Sequence, residues 1–191
     1  DDVDVSGVDI TQNGSWDALY VNGDYKMTGG TINGRVSIGG SGTCTLHNVI
    51  VNAGITGGGK LIVDDGSLIK DTIYMAPEVE IRNSRVIVED SSQSGYVSGI
   101  YLPSNGKATI ENSVVAVKST GAAAYGIVSG EGCQVKLLGD VDICSTTEAE
   151  GKSVASMLYT AGTKTVDATG VDAFVEPFVI AVTGGDLQKI S

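Results

Sequence analysis

The chain is poor in the residues that usually carry chemistry. Among its 191 residues are one histidine, three cysteines, one tryptophan and two phenylalanines. No Cys-x-x-Cys pair occurs and His47 is the single histidine, so no ligand set exists for a structural zinc site of the cysteine–histidine kind. Arg35, Arg82 and Arg85 are the only arginines, and 12 basic residues stand against 23 acidic ones, a net charge of −11. Such a surface repels phosphate backbones, which argues against nucleic acid as a partner. No apolar run reaches the about eighteen residues of a membrane-spanning helix. The opening Asp1-Asp2-Val3-Asp4 has no signal-peptide character. It falls inside the repeat described below, so the chain is expected to be a processed or excised piece of something longer.

The three cysteines, Cys44, Cys133 and Cys144, leave at least one thiol free. Cys44 reads as a small buried hydrophobe. A Cys133–Cys144 bridge stays open at this level, because spacing does not test disulfide geometry.

What the chain does have is valine, isoleucine, leucine and 27 glycines against 3 prolines. Many short β-branched runs parted by glycine turns are an all-β signature. The runs also repeat. Gly106-Lys107-Ala108-Thr109-Ile110-Glu111-Asn112-Ser113-Val114-Val115 lies over Gly59-Lys60-Leu61-Ile62-Val63-Asp64-Asp65-Gly66-Ser67-Leu68, and again over the stretch from Val79 to Val88. Anchored on the central apolar residue, the units fall at Met27, Leu46, Val63, Ile81, Ile110, Leu137 and Val166, with spacings of 19, 17, 18, 29, 27 and 29 residues.

Each unit follows one grammar. An apolar strand opens it, as in Leu19-Tyr20-Val21 or Ile73-Tyr74-Met75, and a glycine turn follows, as in Gly57-Gly58-Gly59. A second, alternating strand carries the anchor. Two residues later comes a corner: Gly29, Asn48, Asp65, Asn83, Asn112, Gly139 and Ala168 in turn. A third strand, such as Val86-Ile87-Val88, closes the unit. Seventeen to nineteen residues are too few for a helix-containing repeat and fit a three-sided parallel β-helix whose strands pair from layer to layer. The expectation is one right-handed coil of about seven to eight rungs. It spans 1–172, with Val3 to Ile10 as most of a further rung and 173–191 as a C-terminal cap over the exposed strand edges. The extra residues of the later units, 89–99, 118–126 and 144–156, are expected to emerge as loops on one side of the coil, the first and last polar and mobile, the middle one small and packing as a flap.

The run from Gly57 to Ile73 resembles the glycine-spaced repeats of autotransporter adhesin passenger domains. Ile81-Arg82-Asn83-Ser84 and Ile110-Glu111-Asn112-Ser113 resemble the pectate-lyase-like superfamily. Both groups share the right-handed parallel β-helix, and the resemblance covers roughly residues 3–170. It implies a secreted or cell-surface protein that acts on, or adheres to, polysaccharide or neighbouring cells.

The candidate site residues fall in two columns. Asn48, Asp65, Asn83 and Asn112 would stack at the corner, where an amide offers both donor and acceptor to turn backbone; this role is structural. Tyr20, Tyr74, Tyr101 and Tyr159 would share one outward position on the opening strand. Exposed tyrosines on a flat sheet can stack against sugar rings, although tyrosine also simply favours strands and steadies neighbouring layers. His47 should face solvent with no partner identifiable by spacing. Asp64 and Asp65 should be sent apart by strand alternation, and Arg82 should pair with Glu111 across layers. No catalytic set, metal site or cofactor is expected, and Asp140 and Asp142 lack a calcium loop. The reading is a non-catalytic extracellular adhesion or carbohydrate-binding module of a bacterial surface or secreted protein. A polysaccharide lyase or glycoside hydrolase of the pectinase type is the second reading, and a trimeric phage tail-fibre segment the third.

Overall fold

Runs such as Thr43-Cys44-Thr45-Leu46-His47 and Lys60-Leu61-Ile62-Val63-Asp64 alternate in burial along their length. That period of two places one set of side chains on a core and the other in solvent. A computed structural model describes residues 3–12, 14, 16–91, 95–159, 164–173, 180–182 and 187–190, with side chains as far as Leu158.

The strands come in units. β1 (Val3–Thr11) is followed by β2 (Leu19–Val21) and β3 (Asp24–Asn33). Then come triplets: β4 (Val36–Ile38), β5 (Thr43–His47) and β6 (Ile50–Val51); β7 (Ile55–Gly57), β8 (Lys60–Asp64) and β9 (Leu68–Ile69); β10 (Ile73–Tyr74), β11 (Glu78–Arg82) and β12 (Arg85–Asp90). Two wider triplets follow: β13 (Tyr96–Leu102), β14 (Lys107–Glu111) and β15 (Val114–Ser119); β16 (Ala123–Ser129), β17 (Gln134–Asp140) and β18 (Asp142–Thr147). The chain continues with β19 (Val154–Tyr159), β20 (Lys164–Ala173), β21 (Ile180–Val182) and β22 (Leu187–Ile190).

Every described pairing is parallel. The opening strands form one sheet in the order β2-β4-β7-β10-β13-β16-β19-β21. The second and third strands form another, which β3 joins by running round the corner: Asp24–Thr28 pairs with β5, and Thr31 and Ile32 pair with β6. The result is an all-β, solenoid-type architecture of parallel sheets curled round one core. The anchors stack as expected, Met27 on Leu46, Val63, Ile81, Ile110 and Leu137. The exception is the last. Val166 lies opposite Val135, and an irregularity in the β17–β20 pairing puts Gly170 opposite Leu138 and Val171 opposite Gly139. Val166 is therefore not the anchor of its layer, nor Ala168 the corner, because the register slips between β17 and β20.

The core is a column of aliphatic side chains, including Ile55, Leu61, Ile69, Ile73, Ile81 and Ile100, all fully buried. Cys44 lies within it, and burial pushes its thiol up to about 12. Cys133 is buried and donates to the Pro103 carbonyl at 3.0 Å, whereas Cys144 is exposed. None of the three is in a disulfide, so the Cys133–Cys144 bridge is not formed.

At the corner, Asn48, Asp65, Asn83 and Asn112 have φ of 55°, 46°, 48° and 46°, with Gly29 and Gly139 at 68° and 66°. Asparagine, aspartate and glycine are the residues that tolerate this left-handed conformation. Their N–H groups bond across layers: Asn48 to the Asp64 carbonyl at 3.2 Å, Asn83 to Glu111 at 3.0 Å and Asn112 to Leu138 at 3.0 Å. The side chains contribute less than an amide ladder would. Asn83 Nδ2 donates to Asp65 Oδ1 at 3.3 Å, and Asn112 Oδ1 accepts from the Asp140 N–H at 3.0 Å. A second column carries as much of the corner: buried Ser67, Ser84 and Ser113. Ser67 Oγ accepts from the Val49 N–H at 2.9 Å, and Ser113 Oγ accepts from the Ser84 N–H at 3.0 Å while bonding the Glu111 carbonyl at 2.6 Å.

The later units differ from expectation in one important way. Residues 89–99, 118–126 and 144–156, apart from 92–94, which lie outside the described residues, are mostly strand and not long loops. β12, β15 and β18 run on to Asp90, Ser119 and Thr147, and β13, β16 and β19 begin early, at Tyr96, Ala123 and Val154. The additions lengthen strands because they pair with one another: Glu89 with Lys118, Ser119 with Thr147, Tyr96 with Ala123. Of the stretch 173–191, Ala173 ends β20, β21 and β22 continue the two sheets in parallel, and the rest of the expected cap lies outside the described residues.

Candidate functional site

The widening creates a step. β10 pairs with β13 only at Ile73–Ile100 and Tyr74–Tyr101, and β9 pairs with β12 only at Leu68–Arg85 and Ile69–Val86. The early part of β13 and the late part of β12 therefore extend past the compact layers beneath. Among the described residues, no strand of the compact layers runs alongside Tyr96–Ser98. Instead the Thr72 hydroxyl donates to the Ser98 carbonyl at 2.7 Å. A groove of about 740 Å³ occupies the step. Its floor comes from the compact layers, at Ile55, Thr56 and Thr72, and its overhang from Tyr96, Val97 and Ser98.

Three tyrosines line it. Tyr74 and Tyr101 pair in register on adjacent opening strands, with ring centroids 4.9 Å apart and planes tilted by 31°. Tyr74 is half exposed, at 50%, and Tyr101 is half-buried against a small apolar cluster of Val128, Leu158, Ala123, Tyr125 and Ala155. That backing holds the Tyr101 ring in place, and Tyr74 lies beside it on the adjacent layer. Tyr96 completes the wall. Its centroid lies 5.7 Å from that of Tyr125, whose hydroxyl shares a 2.5 Å hydrogen bond with Ser153. Burial raises the Tyr96 phenol above its ordinary value, with a smaller push from neighbouring Tyr101, Tyr74 and Tyr125.

The expected tyrosine row is thus partly assembled. The column reads Tyr20, Ser37, Thr56, Tyr74, Tyr101, Val128, Leu158. Tyr20 is exposed but separated from Tyr74 by the Ser37 and Thr56 layers. Tyr159 lies opposite Ser129, one place off the column, with Leu158 taking the expected position. The misplacement comes from aligning on the tyrosine and not on the inward residue before it. Tyr96 was not picked out from sequence, because it sits in a segment that read as loop. The alternation Tyr96-Val97-Ser98 ahead of Gly99-Ile100 was the available signal.

Charged groups also reach the groove: Arg35, Lys70, Asp71, Glu89 and Asp90. Arg35 forms an ion pair with Asp17, and the guanidinium holds the Asp17 carboxyl below its ordinary value. Asp71 Oδ1 accepts from the Thr72 N–H at 2.6 Å.

Elsewhere, on the outward side of the second strands, His47 does have partners. Its Nδ1 lies 2.9 Å from Asp64 Oδ1 and 3.4 Å from Asp65 Oδ2. Alternation does not part the two aspartates, because Asp65 leaves the strand in the left-handed conformation and its carboxylate turns back towards the histidine. One ligand atom from each of the three residues lies within 4.8 Å of the others, so this donor set could hold a metal ion. Further along the same face runs an ion-pair chain. Lys60 Nζ bonds Glu78 at 2.7 Å and also Glu80; Arg82 bonds Glu80 and lies 3.7 Å from Glu111, the cross-layer pair expected from sequence.

Compared with known proteins, the chain matches no family model, no curated protein and no solved structure.

Proposed function

We propose that the chain is a non-catalytic extracellular module of a bacterial surface or secreted protein that binds polysaccharide in the groove at the step. In this reading the coil is a right-handed parallel β-helix of about seven to eight rungs, akin to the adhesin and pectate-lyase-like repeats that its sequence resembles. The observation that carries it is the Tyr74–Tyr101 pair, two rings held one layer apart at 4.9 Å on a rigid sheet. Apolar faces of sugar rings pack on aromatic faces while hydroxyls stay in water. The hydroxyls would find hydrogen-bonding partners in Thr56, Thr72 and the backbone edge at Tyr96–Ser98. A solenoid supplies the rigidity, since each layer is pinned by its neighbours and little ordering is left for binding to impose.

A glycan array followed by titration of the best ligand tests this. A Tyr74→Ala/Tyr101→Ala double variant should bind about tenfold or more weakly, the scale of lost aromatic stacking. Undiminished binding in a folded double variant removes the platform.

One observation favours the second reading, a polysaccharide lyase or glycoside hydrolase: Asp71, Glu89 and Asp90 converge on the same groove. Acid and base carboxylates across a bound chain are what such chemistry needs. It predicts release of sugar fragments from pectin or a related polymer, abolished by Asp90→Asn; intact polymer after prolonged incubation with the wild-type chain sinks it.

A further inference from the structure

We infer that the groove selects a cationic saccharide, a polymer of amino sugars carrying free ammonium groups. This rests on the platform reading above and adds the chemical class of its ligand. The lining holds three carboxylates, Asp71, Glu89 and Asp90, against two cations, Arg35 and Lys70. Arg35 is already engaged by Asp17, so its charge is spent outside the balance of the groove. Lys118 faces Glu89 from the next layer but bonds Glu148 at 2.8 Å. Lys70 is thus the one lining cation without an ion pair among the described residues. The groove is net acidic on a chain of net charge −11.

The rings point the same way. A tyrosine face carries the negative side of its quadrupole outwards, and a cation above it is attracted. Tyr74, Tyr96 and Tyr101 bring three such rings to the rim where the carboxylates sit. An amino sugar satisfies both features with one residue: an apolar ring face for a tyrosine and an ammonium group for the carboxylates and the π-faces. A neutral sugar uses only the stacking. An acidic one, such as a uronate polymer, meets like charge. A simple cationic peptide would meet the charge but gain little from two flat rings held at the spacing of one layer.

Titration calorimetry of the whole chain at low and high salt distinguishes these cases, using chitosan oligomers, chitin oligomers, oligogalacturonate and polylysine as probes. Chitosan oligomers should bind about tenfold or more tightly than their N-acetylated counterparts, and the gap should narrow with salt, as exposed charge contacts do. A Glu89→Gln/Asp90→Asn variant should lose most of that gap. Lys70→Gln, which removes the opposing charge, should widen the gap by up to about fivefold, the scale of one exposed ion pair. Equal binding of chitin and chitosan, both dependent on Tyr74 and Tyr101, overturns the cation preference and leaves the platform standing. Polylysine that binds as tightly as chitosan overturns saccharide recognition in favour of bare charge. No binding of any saccharide overturns the platform reading and this inference together.

Discussion

The compact and the widened parts of the coil share a core and differ in outline. From Met27 to Ile81 the anchors are 17 to 19 residues apart, and from Ile81 to Leu137 they are 27 to 29 apart, yet all six anchors stack in one buried column. The extra residues leave the second strand and its corner almost untouched. They enlarge only the arc between the third strand and the next opening strand, where β12, β15 and β18 are prolonged and β13, β16 and β19 start early. A repeat can therefore be enlarged on one side without disturbing the stacking that stabilises it. The groove exists because the enlargement begins abruptly, partway along β12. Had every layer been wide, or every one compact, the face would be flat.

The largest expected effect tests whether the core really is common to both parts. Ile81→Ala, in the last compact unit, and Ile110→Ala, in the first wide one, should each cost about 2–5 kcal/mol, since both side chains are fully buried in the same column. Urea denaturation reads this directly. A near-neutral effect at either site would mean that the column is broken at the step.

The next effect belongs to the wide layers alone. Gly126 passes so close to the third face that an added Cβ would meet Ile143 Cγ2 at 2.3 Å and the Ser156 carbonyl oxygen at 2.6 Å. Gly126→Ala should cost about 1–3 kcal/mol by overpacking. Gly40→Ala in the compact part, where a Cβ meets nothing within 4 Å, serves as the control. Ser113→Ala should cost a comparable or slightly smaller amount, about 1–3 kcal/mol, because it strands the buried Ser84 N–H. Equal melting temperatures for Ser113→Ala and wild type would show that the serine column is incidental.

How far this was legible in the sequence follows the same division. The compact layers read almost fully: a fixed period, glycine turns and an Asn/Asp corner leave one arrangement of strands. The corner's left-handed backbone could be anticipated from Asn83 and Asn112, but the serines beside them could not be given a role without knowing which layer each hydroxyl reaches. The wide layers read correctly in length and wrongly in kind. Their added residues, rich in Ser, Thr and Gly, have the composition of loops, and become strand only because each addition finds a partner in the next layer. Tyr96, Glu89 and Asp90 were hidden for that reason. The His47–Asp64–Asp65 contact was missed because one residue with positive φ undoes the alternation on which the expectation rested.

The smallest effect concerns the ion-pair chain that crosses the step. Lys60 and Glu80 lie in compact units, and Arg82 links them towards Glu111 in the first wide one. The Lys60 ammonium holds the Glu80 carboxyl below its ordinary value of 4.5, with Arg82 adding to the effect. A carboxyl with a lowered folded pKa stabilises the fold above its unfolded pKa, and that contribution fades as pH falls through the folded value. Glu78 most strongly, with Glu80 beside it, raises Lys60 above 10.5, so its contribution is complete below that value and fades as pH rises beyond it. Stability from this chain should therefore hold between about pH 5 and pH 10 and decline on both sides. The pairs are half-buried at the surface and open to solvent screening, so the amplitude is about 1 kcal/mol or less. Glu80→Gln should flatten the acid limb of the stability–pH curve and weaken the alkaline one, since Lys60 keeps only Glu78. Should the acid limb of Glu80→Gln superimpose on that of the wild type, the chain of charges contributes nothing to joining the compact and wide layers, and the hydrophobic column alone holds them in register.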